Sequence, residues 1–576
     1  MSFGLRKWLF LGIILLASVL RLWKIDSFPP LLTQDEASIG YNAWSIAETG
    51  RDEWGNKFPL VFEAFGDAKQ PVYIYLTALV YKLLGWNVGH VRLVSALAGI
   101  VVIFFVEKWV FLRVKDKGLS LMAALIVATS PWAIQLSRMA WESNLALMFL
   151  VGGFLFWEKI RQKKTGVVEV IGGGLLLALS TYTYVAYRLV VIGFILLWLV
   201  WNRLKKKKTE RLKPQILLAV VALILIIPGL MMGKSVTRLQ QIGILMPEKI
   251  EAIQIDLVNN CHLASARYQV PLITYVCRGM WNKFTIPVLL IGQSWWQHLN
   301  PSFLFFSGDS LVQKNPLQTG SFYAILLPFY FLGIYYAVKK WGDFGDIVLA
   351  LIVSVLPSVL VGETQAIRLS PHLPFVVMML VLGIKEVEEE FKVRKINILK
   401  ILAILLVVMT SLAVPKYAAN VFGASQEWLS YGRDIVQVAT ELSDDGYTVY
   451  IDHVMPEPHM FLAYWNQIEP DEYQMMDKSA TVDKLGFKRP TKLGEKYVFV
   501  LKQNEYQDLV CDHYENEKVA FITNELNSQG FLTHKTITNL NEAHAMAKVY
   551  RLDEMLEEAG AKAKFCKGYN IENNEF

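Results

Sequence analysis

Cysteine is scarce, with four in 576 residues, and charged residues make up only 19% of the chain. No zinc-spaced Cys/His cluster and no glycine-rich phosphate loop occur, so metal-finger and soluble nucleotide chemistry have no basis in the sequence. Internal repeats are also missing, and with them the repeated halves expected of many secondary transporters. The net charge is +6, yet Lys and Arg fall in short runs between apolar segments and form no single basic stretch, which argues against a nucleic-acid partner. An apolar run follows Arg6-Lys7 without a small-residue cleavage site and ends in Arg21-Leu22-Trp23, so it reads as a first membrane span and not as a cleaved signal.

What is present is apolar residues, 54% of the chain, with 12% aromatics. Stretches able to cross roughly 30 Å of hydrocarbon begin near Trp8 and recur to about Pro415, after which the composition turns soluble. The predicted spans are 7–23, 91–112, 118–135, 142–158, 168–186, 187–203, 215–231, 321–339, 345–361, 369–385 and 396–415, about eleven crossings. Pro71–Leu84 is apolar but short. If it crossed, the basic runs at 113–117, 159–164 and 203–208 would all lie outside, so the positive-inside bias makes it a juxtamembrane helix.

The expected fold is therefore an all-α polytopic membrane protein with a small C-terminal α/β domain. Residues 1–415 form the membrane domain, with outer loops 24–90 and 232–320, and 416–576 form the soluble domain on the same side. In that domain Tyr447–Ile451 and Tyr497–Leu501 read as strands, and the stretches around Pro458–Gln467 and Asn541–Arg551 read as helices. All four cysteines, Cys261, Cys277, Cys511 and Cys566, then lie outside, where both disulfides and free thiols stay open.

The first outer loop runs through Phe28-Pro29-Pro30 to Thr33-Gln34-Asp35-Glu36 and into a helix that stops near Gly50. Thr33 and Glu36 have capping-box spacing, so Glu36 has a structural reading beside a catalytic one. Asp35 has no such capping role, and in a first helical turn its ionised carboxylate is favoured as a base or cation ligand. Lys69, just before the juxtamembrane helix, meets either lipid headgroups by snorkelling or a lipid phosphate.

Arg138 and Glu142, four residues apart at the mouth of a helix, can pair with each other or act on substrate. Arg188 and Arg368 also fall at outer helix ends, where anchoring and anion binding are both open. An aromatic-rich segment, Ser294 to Asp309, carries His298 and Asp309. Its rings suit a membrane belt, sugar rings or lipid tails.

Taken in this order, Asp35-Glu36, Lys69-Gln70-Pro71-Val72-Tyr73, Ser130-Pro131 leading to Arg138 and Glu142, and His298-Leu299-Asn300-Pro301-Ser302-Phe303 resemble the GT-C membrane glycosyltransferases of the protein O-mannosyltransferase and aminoarabinose transferase superfamily, over roughly residues 7–415. The resemblance implies a polyprenyl-phosphate sugar donor, an extracytoplasmic protein, lipid or surface-glycan acceptor, inversion, and the plasma membrane of a prokaryote. It implies Asp35 as base or metal ligand, and it places the second acidic position on Glu142, a glutamate where some relatives have aspartate. Any divalent cation would then lie at Asp35 and Glu142, with Lys69, Arg138, Arg188 and Arg368 facing the leaving phosphate. A membrane transporter or lipid flippase is the competing expectation.

Overall fold

A computed structural model describes residues 3–162, 166–204, 212–231, 243–362, 364–393, 397–452, 454–482, 487–499, 518–524, 533–540, 542 and 544–557. The chain divides into two units, Met1–Trp23 with Ser95–Tyr417, and Lys24–Val94 with Ala418–Phe576. Residues 24–90, expected as an outer loop of the membrane domain, thus fall in a segment, Lys24–Val94, that clusters with the C-terminal region.

The first unit is helical. Among the described residues six helices are long and apolar enough to cross a membrane: Val88–Val114, Glu142–Gln162, Lys213–Met231, Trp341–Val359, Ser370–Glu390 and Ile398–Gly423. A seventh crossing arises if Lys117–Thr129 and Pro131–Arg138, bent by 56°, count as one. The bend has a local cause: Ser130 caps the second helix, its hydroxyl accepting from the Ala133 amide at 3.2 Å, and Pro131 supplies no amide to continue the first. The protein is a multi-pass membrane protein of several apolar helices; the expected spans 168–186 and 321–339 coincide with the shorter apolar helices Val167–Thr183 and Ala324–Lys339, and 7–23 and 187–203 with the helices Phe3–Leu22 and Tyr187–Leu204.

Two helices of this unit meet at glycine. A Cβ on Gly333, in Leu327–Lys339, would stand 1.8 Å from the Met379 carbonyl oxygen, and one on Gly383, in Leu373–Val393, would stand 1.9 Å from that of Phe329. In lipid, helix association depends on such close backbone approach. Gly383→Val is expected to destabilise the unit by about 1–3 kcal/mol or more, read as a lower melting temperature in detergent. Residues 232–320, expected as the second outer loop, include helices Pro247–Tyr268 and Leu272–Met280, which a Cys261–Cys277 disulfide joins; Cys511 and Cys566 lie outside the described residues.

In the second unit, helix Gln34–Thr49 is followed by the hairpin β1 (Phe62–Ala64) and β2 (Asp67–Lys69) and by helix Pro71–Leu84. Further on come β3 (Thr448–Ile451), the small hairpin β4 (Ala480–Val482) and β5 (Lys488–Pro490), then β6 (Lys492–Leu493), β7 (Tyr497–Phe499), β8 (Val519–Thr523), β9 (Lys535–Thr538) and β10 (Ala545–Arg551). Six of these form a sheet in the order β6-β7-β3-β8-β10-β9, with β3 parallel to both neighbours. β3, β7 and helix Pro458–Trp465 fall within the expected Tyr447–Ile451, Tyr497–Leu501 and Pro458–Gln467, with Val500 and Leu501 outside the described residues.

Asn541–Arg551 does not match: its described part is strand β10, not helix. The Ala- and Met-rich composition favours helix locally, but pairing with β8 on one side and β9 on the other overrides propensity, and Ala547 and Val549 are buried in the sheet.

Helix Gln34–Thr49 is tied to the C-terminal region by close packing. A Cβ at Gly40 would lie 2.6 Å from the Tyr464 ring, the Tyr41 hydroxyl donates to the Ile468 carbonyl at 2.8 Å, and the Gln474 amide donates to the Ser45 and Thr49 hydroxyls. Residues flanking Asp35 are therefore held by residues more than four hundred positions later.

Candidate active site

Thr33 starts the helix as its N-cap. Its hydroxyl accepts from the Glu36 amide at 3.3 Å, and the Glu36 carboxylate accepts from the Thr33 amide at 3.1 Å, completing the capping box. The same carboxylate, fully buried, receives a fork from Arg92: Nε to Oε1 at 2.8 Å and Nη2 to Oε2 at 3.0 Å. Arg92 also donates to the carbonyls of Ile25, Pro29 and Leu31. Glu36 and Arg92 together thus fix the path of the chain that enters the helix.

That anchoring leaves the neighbouring carboxylate pointing the other way. Asp35 is 54% exposed, and its Oδ1 accepts from the Lys69 ammonium at 2.6 Å. Lys69 itself is only 4% exposed and lies over the Phe65 ring at 5.2 Å. It ends β2, one residue before Gln70, the N-cap of helix Pro71–Leu84.

A second carboxylate approaches from the C-terminal region. Glu457 stands within electrostatic reach of Asp35 and of Arg489 in β5. Burial, reinforced by the Asp35 charge and opposed by Arg489, pushes its carboxyl up to about 7. His459 lies behind it, with Nδ1 3.8 Å from Oε2, and burial followed by the Lys478 charge holds that imidazole down to about 3, in its neutral form at physiological pH. Neither Glu457 nor Arg92 is flagged by spacing in the sequence. Arg92 had one available signal, an ionisable residue at the start of an apolar span; Glu457 had none.

The other candidate residues lie in the first unit. Arg138 donates to the Leu20 and Trp23 carbonyls at 2.9 Å each, capping the helix Phe3–Leu22, while buried Arg21 donates to the Val127 and Ala128 carbonyls at the end of Lys117–Thr129. Each arginine therefore closes a helix end where carbonyls lack intrahelical donors. Glu142 stands in the first turn of Glu142–Gln162. His298 bonds Ser294 O at 2.6 Å and the Ser358 hydroxyl at 2.8 Å, and Asp309 accepts from the Leu311 and Ala366 amides at 3.0 and 2.7 Å. Both side chains thus make structural bonds in this unit. Arg188 is buried near the start of Tyr187–Leu204, and Arg368 is half-buried.

Among the described residues no group of three or more His, Cys, Asp or Glu side chains could hold a metal ion. The Asp35 Oδ1 accepts instead from the Lys69 ammonium.

Residues 68–232 match the family model described as dolichyl-phosphate-mannose-protein mannosyltransferase. No curated protein matches the chain at a significant level. Among solved structures, ArnT from Cupriavidus metallidurans bound to undecaprenyl phosphate is similar with a TM-score of 0.50 at 12% identity, over 96% of this chain and 98% of that one. Its apo form gives 0.50 and 12%, over 95% and 97%. The Archaeoglobus fulgidus oligosaccharyltransferase tethered to an acceptor peptide gives 0.49 and 12%, over 80% and 63%. Part of the chain thus matches a mannosyltransferase family model, and the chain shares its fold with ArnT over nearly the whole of both chains.

Proposed function

We propose that the protein is an integral-membrane glycosyltransferase that moves a sugar from a polyprenyl-phosphate donor to an extracytoplasmic acceptor with inversion, and that Asp35 is its base. The observation that carries this reading is the half-exposed Asp35 carboxylate held 2.6 Å from the buried Lys69 ammonium. The undecaprenyl phosphate bound in the ArnT structure supports the donor class.

In the reaction the acceptor hydroxyl gives its proton to Asp35 as its oxygen bonds to the anomeric carbon. The bond from that carbon to the phosphate oxygen breaks, and its electron pair leaves on the lipid phosphate. Charge develops on both sides of the sugar, so the Lys69–Asp35 pair parts as substrates enter, the ammonium turning to the phosphate and the carboxylate to the acceptor hydroxyl. Lys69 is assigned to the phosphate. Glu36 is assigned a positioning role, since its oxygens are engaged by Thr33 and Arg92. In this proposal the site lies at the outer face of a prokaryotic plasma membrane, and the positive-inside bias supports the outer face.

The test is release of sugar from an undecaprenyl-phosphate-linked donor by the purified protein in detergent, where transport across a membrane has no meaning. Mass spectrometry of surface lipids, glycans and proteins from a strain lacking the chain would then identify sugar and acceptor; an unchanged profile would count against the proposal.

Truncation gives a further expected result. Removing residues from 418 onward strips the Tyr464, Ile468 and Gln474 contacts from helix Gln34–Thr49. The shortened protein is expected to lose activity and to be cut by protease within residues 24–94, because the segment bearing Asp35 loses much of its packing.

A further inference from the structure

We propose that Glu457 and Arg489, contributed by the C-terminal region, are the acceptor-positioning pair of the Asp35 site and that they fit a saccharide acceptor bearing a hydroxyl beside the one that attacks. The inference rests on the reading of Asp35 as base. Three segments far apart in sequence converge here. The helix that carries Asp35 packs through Gly40 on Tyr464 of helix Pro458–Trp465, which Glu457 precedes, and β5, which bears Arg489, bonds β1, the partner of the strand that Lys69 ends.

Both late segments are fixed by bonds. The Lys488 amide, next to Arg489, donates to the Glu63 carboxylate of β1 at 2.9 Å. Before Glu457, Val454 is held at both ends: its amide donates to Asp452 at 2.7 Å and its carbonyl accepts from the Tyr431 hydroxyl at 3.0 Å. Glu457 itself adopts φ 52 and ψ 57, the left-handed region that a glutamate rarely enters. Such a backbone persists where the surroundings enforce it, and it aims this side chain at a chosen place. The side chain remains 19% exposed, so it is buried enough to be fixed and open enough to be touched.

Two carboxylates, Asp35 and Glu457, are flanked by two cations, Lys69 and Arg489. With Asp35 taking the proton of the attacking hydroxyl, a neighbouring hydroxyl can donate to Glu457 and accept from Arg489. A vicinal diol offers both, whereas a lone side-chain hydroxyl offers neither.

The full-length protein in detergent, supplied with an undecaprenyl-phosphate-linked sugar, tests this with two probes, methyl α-mannoside and N-acetylserine amide, and with water as background acceptor. For Glu457→Gln, KM for methyl α-mannoside is expected to rise about tenfold or more, with donor hydrolysis unchanged and the melting temperature held. Arg489→Gln is expected to give the same split, and Glu457→Asp to recover part of it. Arg551→Gln, which breaks an ion pair elsewhere in the region, is expected to change neither.

Equal losses in hydrolysis and transfer would overturn the proposal, as would no change in KM. It would also fall if the unsubstituted protein preferred N-acetylserine amide or used neither probe. Failure of the underlying reading looks different: no donor turnover at all, or full activity in Asp35→Asn.

Discussion

Asp35→Asn is expected to lower sugar transfer by roughly 10²–10⁴-fold while the protein stays folded. The size follows from what is removed. Asparagine is close to aspartate in shape and keeps an oxygen for the Lys69 ammonium, but it cannot take a proton from an attacking hydroxyl. The fold does not depend on the charge: Asp35 is 54% exposed, and the neighbouring cap and the Arg92 fork belong to Glu36. A structural cost of about 1–2 kcal/mol is expected from weakening a partly exposed ion pair.

Lys69→Met gives the complementary case. It removes the positive charge beside Asp35 and is expected to weaken undecaprenyl-phosphate binding as well as turnover. Single-turnover rates and lipid-phosphate binding separate the two variants. Asp35→Asn is expected to bind the lipid phosphate as the unsubstituted protein does; if it also turned over normally, Asp35 would not be the base.

How much of this site is visible in the sequence depends on how local each interaction is. The Thr33–Glu36 box spans three residues and repeats in any helix start of that kind, so it is legible and appears as expected. Asp35 stands out once Glu36 is accounted for. Its ammonium is 34 positions away, across a hairpin whose register sequence reading does not supply, so Lys69 is a candidate without a partner until the fold is known.

Arg92, 56 positions from Glu36, is harder, because a basic residue at the start of an apolar stretch reads first as a topology marker. Glu457 is illegible, since nothing within the chain near it points to Asp35. The same rule explains the spans and the tail. Apolar runs announce helices because hydrophobicity is a property of the run itself, whereas β10 becomes a strand only through β8 and β9.

The largest expected loss of stability belongs to Arg92, whose side chain is fully buried against Glu36. Arg92→Met leaves the Glu36 carboxylate buried without its cation, a change that typically costs about 3–5 kcal/mol. It also removes the donor to the Ile25, Pro29 and Leu31 carbonyls. Glu36→Gln is expected to be milder, because glutamine still serves the third position of a capping box and still accepts from Arg92. Thr33→Ala is milder again, at about 1 kcal/mol for a lost cap.

The expected order of melting temperatures is therefore Thr33→Ala above Glu36→Gln above Arg92→Met, with a shift of about 2–4 °C for each kcal/mol in a unit of this size. The double variant Glu36→Gln, Arg92→Met is expected to lose less than the sum of the two, because the second change removes a charge that the first had already left unmatched. All of these lower activity by loosening the turn that aims Asp35, so each is expected to lose transfer and stability together. Asp35→Asn loses far more transfer than its structural cost of about 1–2 kcal/mol accounts for. An Arg92→Met protein that melted normally yet transferred no sugar would move Arg92 and Glu36 out of the scaffold and into the chemistry.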